Sequence, residues 1–190
     1  IVGTRLLGRI DELWWRGQGR TRFSRLSPAN ELACWIRHLL LNWAAPDIHP
    51  RESHLVGQPG ESQPTAIHLC FRRVDDAEDH LAELVRIYWL GQIQPLPFFP
   101  RTSRRYVDSL RSARNPNEEK ALQAAYVEFL GSEFKPGERD RDASYRLVFR
   151  DREPLSPHYR VIGDGGPDEG FRELSHAIFG PLLAHREDVA

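Results

Sequence analysis

Between Val2 and Leu13 apolar and polar positions alternate, with Val2, Thr4, Leu6 and Ile10 on one side of an extended chain and Gly3 and Gly8 interrupting. The pattern predicts a strand over residues 2 to 13. Trp14-Trp15-Arg16-Gly17-Gln18-Gly19 predicts a turn, and Arg20 to Leu26 a returning strand with Phe23 as its main apolar residue. The period then changes. Ser27 followed by Pro28 is a helix start, because the hydroxyl caps free backbone N–H groups and proline suits the first turn. Leu32, Trp35, Ile36, Leu39 and Trp43 follow at three- and four-residue spacing, with Ala29, Ala33 and Leu40 beside them, and predict a core helix ending before Pro46.

Residues 46 to 64 predict a loop with a short strand around His54 to Val56, and Thr65 to Arg72 a further strand. Asp75 and Glu78 read as a capping box before a helix that buries Leu81, Leu84, Val85 and Tyr88 and stops near Gly91. Pro95-Leu96-Pro97-Phe98-Phe99-Pro100 is a rigid apolar loop. Helices are expected over about 101–113, with Tyr106, Val107, Leu110 and Ala113 inward, and about 117–130, with Leu122, Tyr126, Phe129 and Leu130 inward. Residues 131–141 read as a charged loop and 142–150 as a short helix or strand. Residues 151–167 are a loop again, and a last helix from Asp168 carries Phe171, Leu174 and Ile178 as far as Gly180-Pro181. These elements predict an α+β fold: a small mixed β-sheet flanked by helices, in α/β/α-like layers. One domain over 1–190 is expected, with sheet and core helices in 1–95 and a mainly helical extension in 96–190.

Composition narrows this picture little. The chain has 190 residues, 40% hydrophobic and 28% charged, an ordinary globular balance. A net charge of -1 gives no global attraction to nucleic acid, so any such contact must be a local patch. The basic residues comprise 24 Arg and only 2 Lys, Lys120 and Lys135. Cys34 and Cys70 sit in apolar runs and read as buried free thiols of a reducing compartment, the cytoplasm. No apolar run approaches the ~20 residues of a membrane span. The start at Ile1 and the absence of Met predict a piece of a longer protein.

Candidate chemistry is sparse. A carboxylate near the end of one strand, with a second acid two residues before a Lys on the next, would hold Mg2+ through hard oxygen ligands and polarise a phosphodiester. Gly8-Arg9-Ile10-Asp11 supplies a first acid. Ser24 and Leu26 stand where the second acid and the Lys belong, and no Lys precedes position 120. Asp11 is therefore a remnant-acid candidate or an ordinary strand-end residue. Gly163-Asp164-Gly165-Gly166 lacks a phosphate-loop Lys and reads as a loop. Two arginine groups are candidate DNA or partner contacts: Arg20, Arg22 and Arg25 around the hairpin, and Arg101, Arg104, Arg105 and Arg111 on one helix face. Each is equally readable as a solvated face.

The order of pieces resembles the C-terminal part of RecC, the gamma subunit of exodeoxyribonuclease V (the RecBCD complex). The resemblance is carried by Gly8-Arg9-Ile10-Asp11 with its hairpin, by Glu31 to Leu39, and by Leu84 to Gly91 with Pro95 to Pro100. Gly137-Glu138-Arg139-Asp140 leading to Tyr145 and Phe149, and Pro181-Leu182-Leu183, complete it. It implies a fold like the restriction-endonuclease, PD-(D/E)xK class, but without catalysis. It implies no cofactor in this domain, with ATP and Mg in partner subunits. The implied partners are RecB-like and RecD-like subunits, double-stranded DNA ends and single-stranded DNA, in double-strand break repair and homologous recombination, with no membrane. The expected role is duplex splitting, strand guidance and subunit contact. Two alternatives stay open: a live Mg-dependent nuclease, and a protein-interaction module that touches no DNA.

Overall fold

The structure is a computed structural model and describes residues 3–45, 50–58, 66–162 and 168–189. They form two compact units, residues 1–86 with 181–190 and residues 87–180, which are taken in turn. The fold is α+β, with a mixed five-stranded sheet and flanking helices.

In the first unit, β1 (Leu13–Trp14) and β2 (Gly17–Arg25) make a hairpin in which Trp14 lies opposite Gly17. The turn is therefore Trp15-Arg16 alone, tighter than the Trp14–Gly19 turn expected. Gly17 has φ +131, and a Cβ there would collide with the Glu52 carbonyl, so only glycine closes this turn. The strand expected over 2–13 shrinks to its last residue and Trp14. Residues 3–12 are irregular and mostly exposed, and no described strand pairs with them. Alternation without a neighbour to complete the hydrogen-bond ladder does not make a strand. Val2 lies outside the described residues. Phe23 is 92% exposed, not a core residue.

Helix α1 (Pro28–Ala44) starts as its sequence demands: the Ser27 hydroxyl accepts from the Asn30 amide, and the Asn30 side chain reaches back to the Ser27 amide. Its buried face differs from the expected one. Glu31, Cys34, Trp35, His38, Leu39, Leu41 and Asn42 point inward, while Ile36 and Trp43 are exposed. The helix is turned toward a stripe that includes polar residues because those residues find partners. His38 is fully buried; its Nδ1 accepts from the Ser53 hydroxyl at 2.9 Å and its Nε2 donates to the Arg72 carbonyl at 2.8 Å. One turn on, the Asn42 carbonyl accepts from the Val74 amide at 3.0 Å. Trp35 fills the space between, packed on Phe71 and stacked on His185.

From α1 the chain enters β3 (Ser53–Gln58), parallel to β2, then β4 (Ile67–Phe71), antiparallel to β3. Ser53, Leu55, Leu69 and Phe71 face the helix side and are buried. Helix α2 (Ala77–Ile93) starts one residue later than the capping box implied. Backbone amides of Asp79 and His80 bond to the Asp76 carbonyl, while Asp75 pairs with Arg73. Tyr88 is exposed, with Ile87 and Leu90 buried in its place.

In the second unit, α3 (Pro100–Ser112) takes in Pro100, expected as the end of the apolar loop, and α4 (Glu118–Leu130) begins after the cap Asn117, within a residue of the expected start. Ala121, Ala125 and Phe129 are the buried face of α4, and Leu130 is exposed. The stretch expected as a charged loop carries the strands β5 (Gly131–Ser132) and β6 (Lys135–Pro136) and a short helix α5 (Glu138–Arg141). This small hairpin delivers Glu138 to the start of α3, which has no side-chain cap of its own. The buried carboxylate accepts from the backbone amides of Arg101 at 3.0 Å and Thr102 at 2.7 Å. An anion on free N–H groups at a helix start is favourable both as hydrogen bond and against the helix dipole. Helix α6 (Ala143–Phe149) brings Tyr145 and Phe149 edge-on to buried Phe99.

Helix α7 (Phe171–His185) runs through Gly180-Pro181, where an end was expected, and β7 (Arg186–Asp188), not expected at all, pairs antiparallel with β4. A proline inside a helix costs about 3 kcal/mol. Ile178, Phe179, Leu182 and Leu183 around it are all buried, which offsets the cost. The completed sheet has the order β1-β2-β3-β4-β7. In the first unit Arg186 of β7 reaches Glu31 in the first turn of α1 at 3.1 Å.

The buried imidazole gives a pH test. Burial, the first cause, holds His38 down to about 4, against 6.5 for an ordinary histidine. The unfolded chain therefore takes up this proton first, and folding stability falls as pH drops from about 6.5 toward about 4. Urea unfolding of wild type is expected to lose about 2 kcal/mol from this group between about pH 7.5 and 5, and His38→Gln to lack that part of the slope.

Candidate nucleic-acid and partner interface

The hairpin exposes most of its side chains. The β1–β2 ladder ends at the tight turn, and on β2 the residues from Thr21 to Arg25 are all exposed. The register of β2 against β3 breaks between Thr21 and Arg25, so this half of the strand bends away from regular pairing. Trp14, Trp15 and Phe23 are exposed along it, with Trp15 at 76%. The Arg16 guanidinium lies over the Trp15 ring, 4.3 Å from its centre. Large aromatic rings in water beside arginines are costly to leave uncovered and are a common composition for a binding surface.

The predicted arginines divide. Arg22 and Arg25 are exposed beside Phe23, and Arg20 is half-buried with Glu12 at 4.0 Å. In the second unit Arg101, Arg105 and Arg111 are exposed on α3, but Arg104 is not on that face. It is 9% exposed, and its Nε donates to Asp108 at 2.7 Å one turn along the helix. Helical spacing put Arg104 with the other arginines; a neighbouring acid at i+4 and burial made it part of the packing. The two arginine groups belong to different units.

Asp11 pairs with Arg9 at 2.6 Å, and its backbone carbonyl accepts from Gln18. Asp11 lies just before β1, in the irregular stretch 3–12, and Ser24 lies on the exposed half of β2. The position expected to complete a metal pair is not acidic. Ser24 and Leu26 do not supply the carboxylate and the lysine that this kind of Mg2+ site needs. Among the described residues, the side chains close enough to share a metal lie elsewhere, on β3 and β4 with the residue before them.

Sequence reasoning missed the aromatic half of this surface. The pattern makes Phe23 the main apolar residue of its strand and Trp14-Trp15 part of a turn. The available signal was that the stretch 14–25 holds three aromatics together with Arg16, Arg20, Arg22 and Arg25.

A mixed α+β domain with an aromatic and basic hairpin is the class that fold and surface define. The family model for the RecC C-terminal domain matches residues 1–111, which include the hairpin, α1, the strands through β4, and α3 up to Arg111. The chain belongs to the RecC C-terminal domain family. That membership gives it a role in the multi-subunit RecBCD complex, exodeoxyribonuclease V. The match leaves Gly137–Asp140 and Pro181–Leu183 outside it, although both stretches contributed to the resemblance. The chain matches no curated protein. No helix among the described residues is long and apolar enough to cross a membrane.

The division of the arginines is testable by stability. Arg104→Ala is expected to cost about 2 kcal/mol in urea unfolding, through a lost charge-assisted hydrogen bond and lost packing. Arg105→Ala, on the exposed side, is expected to stay within about 0.5 kcal/mol of wild type.

Proposed function

We propose that this chain is a non-catalytic DNA-handling and assembly domain of the gamma subunit of exodeoxyribonuclease V. In double-strand break repair it supports duplex splitting, guides single strands and contacts RecB-like and RecD-like subunits. The observation that carries this reading is the exposed hairpin with Trp14, Trp15 and Phe23 beside Arg16, Arg20, Arg22 and Arg25. Unstacked bases lie on aromatic rings, and arginines hold the phosphates between them. Ser24 and Leu26 in place of the second acid and the lysine support leaving cleavage to the partner subunits, where ATP and Mg would be used.

Fluorescence anisotropy with a labelled single-stranded oligonucleotide tests the reading. Binding is expected to fall steeply with salt. Trp15→Ala and Phe23→Ala should each weaken it about tenfold, since stacking contributes about 1–3 kcal/mol per base. Arg22→Ala should reduce the salt slope by roughly one phosphate contact. Absence of salt-dependent binding would leave a protein-interaction module instead. Degradation of DNA with Mg2+ that vanishes in Asp11→Ala would make the domain a nuclease.

A further inference from the structure

The sheet face opposite α1 carries a second chemistry, unrelated to Asp11. Glu52 and His54 are two residues apart in an extended stretch, so their side chains share a face, and His68 and Cys70 do the same on β4. The antiparallel register sets His54 directly across from Cys70 and Val56 across from His68. Neither pairing could be read from the separate strands. Together they place Glu52, His54 and Cys70 so that one ligand atom from each lies within 4.8 Å of the others.

We propose that Glu52, His54 and Cys70 form a binding site for a zinc-class divalent cation, with His68 orienting His54. The Glu52 Oε2 to His54 Nε2 distance is 3.7 Å. That is too long for a hydrogen bond and close to the ~3.4 Å that separates two ligands, each about 2.1 Å from a tetrahedral metal. Nitrogen, thiolate sulfur and one carboxylate oxygen suit zinc rather than Mg2+ or Ca2+. His54 Nδ1 lies 3.0 Å from His68 Nε2, so with Nε2 on the metal, Nδ1–H donates to His68 and fixes the ring.

The charged neighbours are consistent with a cation. Arg72 is the nearby positive group, and it holds Glu52 through the other carboxylate oxygen, Oε1, at 2.8 Å. Oε2 is thereby left for the metal. Arg72 is also tied down by Glu187 at 2.9 Å, so a second carboxylate offsets its charge. Arg16 is the further cation that acts on His54. Burial raises the Cys70 thiol, so binding must displace the thiol proton to solvent. Three protein ligands leave a fourth position, open to water or to a group from a partner.

Cobalt is the direct probe, because Co2+ takes zinc sites and reports a thiolate ligand optically. Titrating the chain with Co2+ is expected to raise a thiolate-to-cobalt charge-transfer band that saturates at one equivalent and is abolished by added Zn2+. Cys70→Ser should lose the band and Cys34→Ser should keep it. His68→Gln should weaken Zn2+ binding about 10- to 100-fold in equilibrium dialysis. Circular dichroism establishes that each variant is folded; if Cys70→Ser is not, the wild-type spectrum alone decides. No band in wild type, or a band that survives in folded Cys70→Ser, overturns the site.

Discussion

One imidazole organises the first unit. His38 is fully enclosed and has a hydrogen bond at each ring nitrogen, to Ser53 on β3 and to the backbone just after β4. A buried polar ring is tolerated only when both nitrogens are satisfied, and satisfying both fixes α1 in rotation and in height against two strands. Asn42 repeats the connection one turn later through the Val74 amide. With these contacts made, Trp35 and Leu39 fall onto Leu55, Leu69 and Phe71, while Ile36 and Trp43 are carried outward. Apolar burial supplies most of the energy here, but the hydrogen bonds choose which apolar residues are buried.

The rest of the unit's surface follows from that choice. Because α1 covers one face of the sheet, the residues of opposite parity on β3 and β4 turn to the other face, where Glu52, His54, His68 and Cys70 gather. The β1–β2 hairpin sits at the edge of the sheet, and the pairing of β2 with β3 shifts register between Thr21 and Arg25. Thr21 to Arg25 display an aromatic ring and arginines to solvent. Within the RecC C-terminal domain family this surface is the natural place for contact with other molecules.

The second unit solves a different problem by related means. Its α3 begins at Pro100 with no side-chain cap, so the buried first-turn amides would lack partners. Glu138, delivered by the small hairpin after α4, supplies both acceptors at once. One face of the same helix exposes Arg101, Arg105 and Arg111, while Arg104 turns inward to Asp108. Four arginines that look equivalent by composition thus divide into surface and structure.

What the chain's sequence settles by itself is local. Ser27-Pro28 and Asn117 start their helices because a cap or a fixed φ acts within three residues, and β3 and β4 show in the two-residue period. The α+β class is legible for the same reason. The rotation of α1, the strand β7, the Glu138 cap and the place of Phe23 were not. Each depends on a partner far along the chain: Ser53 for His38, β4 for β7, Arg101 for Glu138, and the lack of any for Phe23. Periodicity tells which residues share a face of an element, but not which element lies against it or in what register. Only the tertiary structure set His54 across from Cys70, because strand register arises from the packing of the whole sheet.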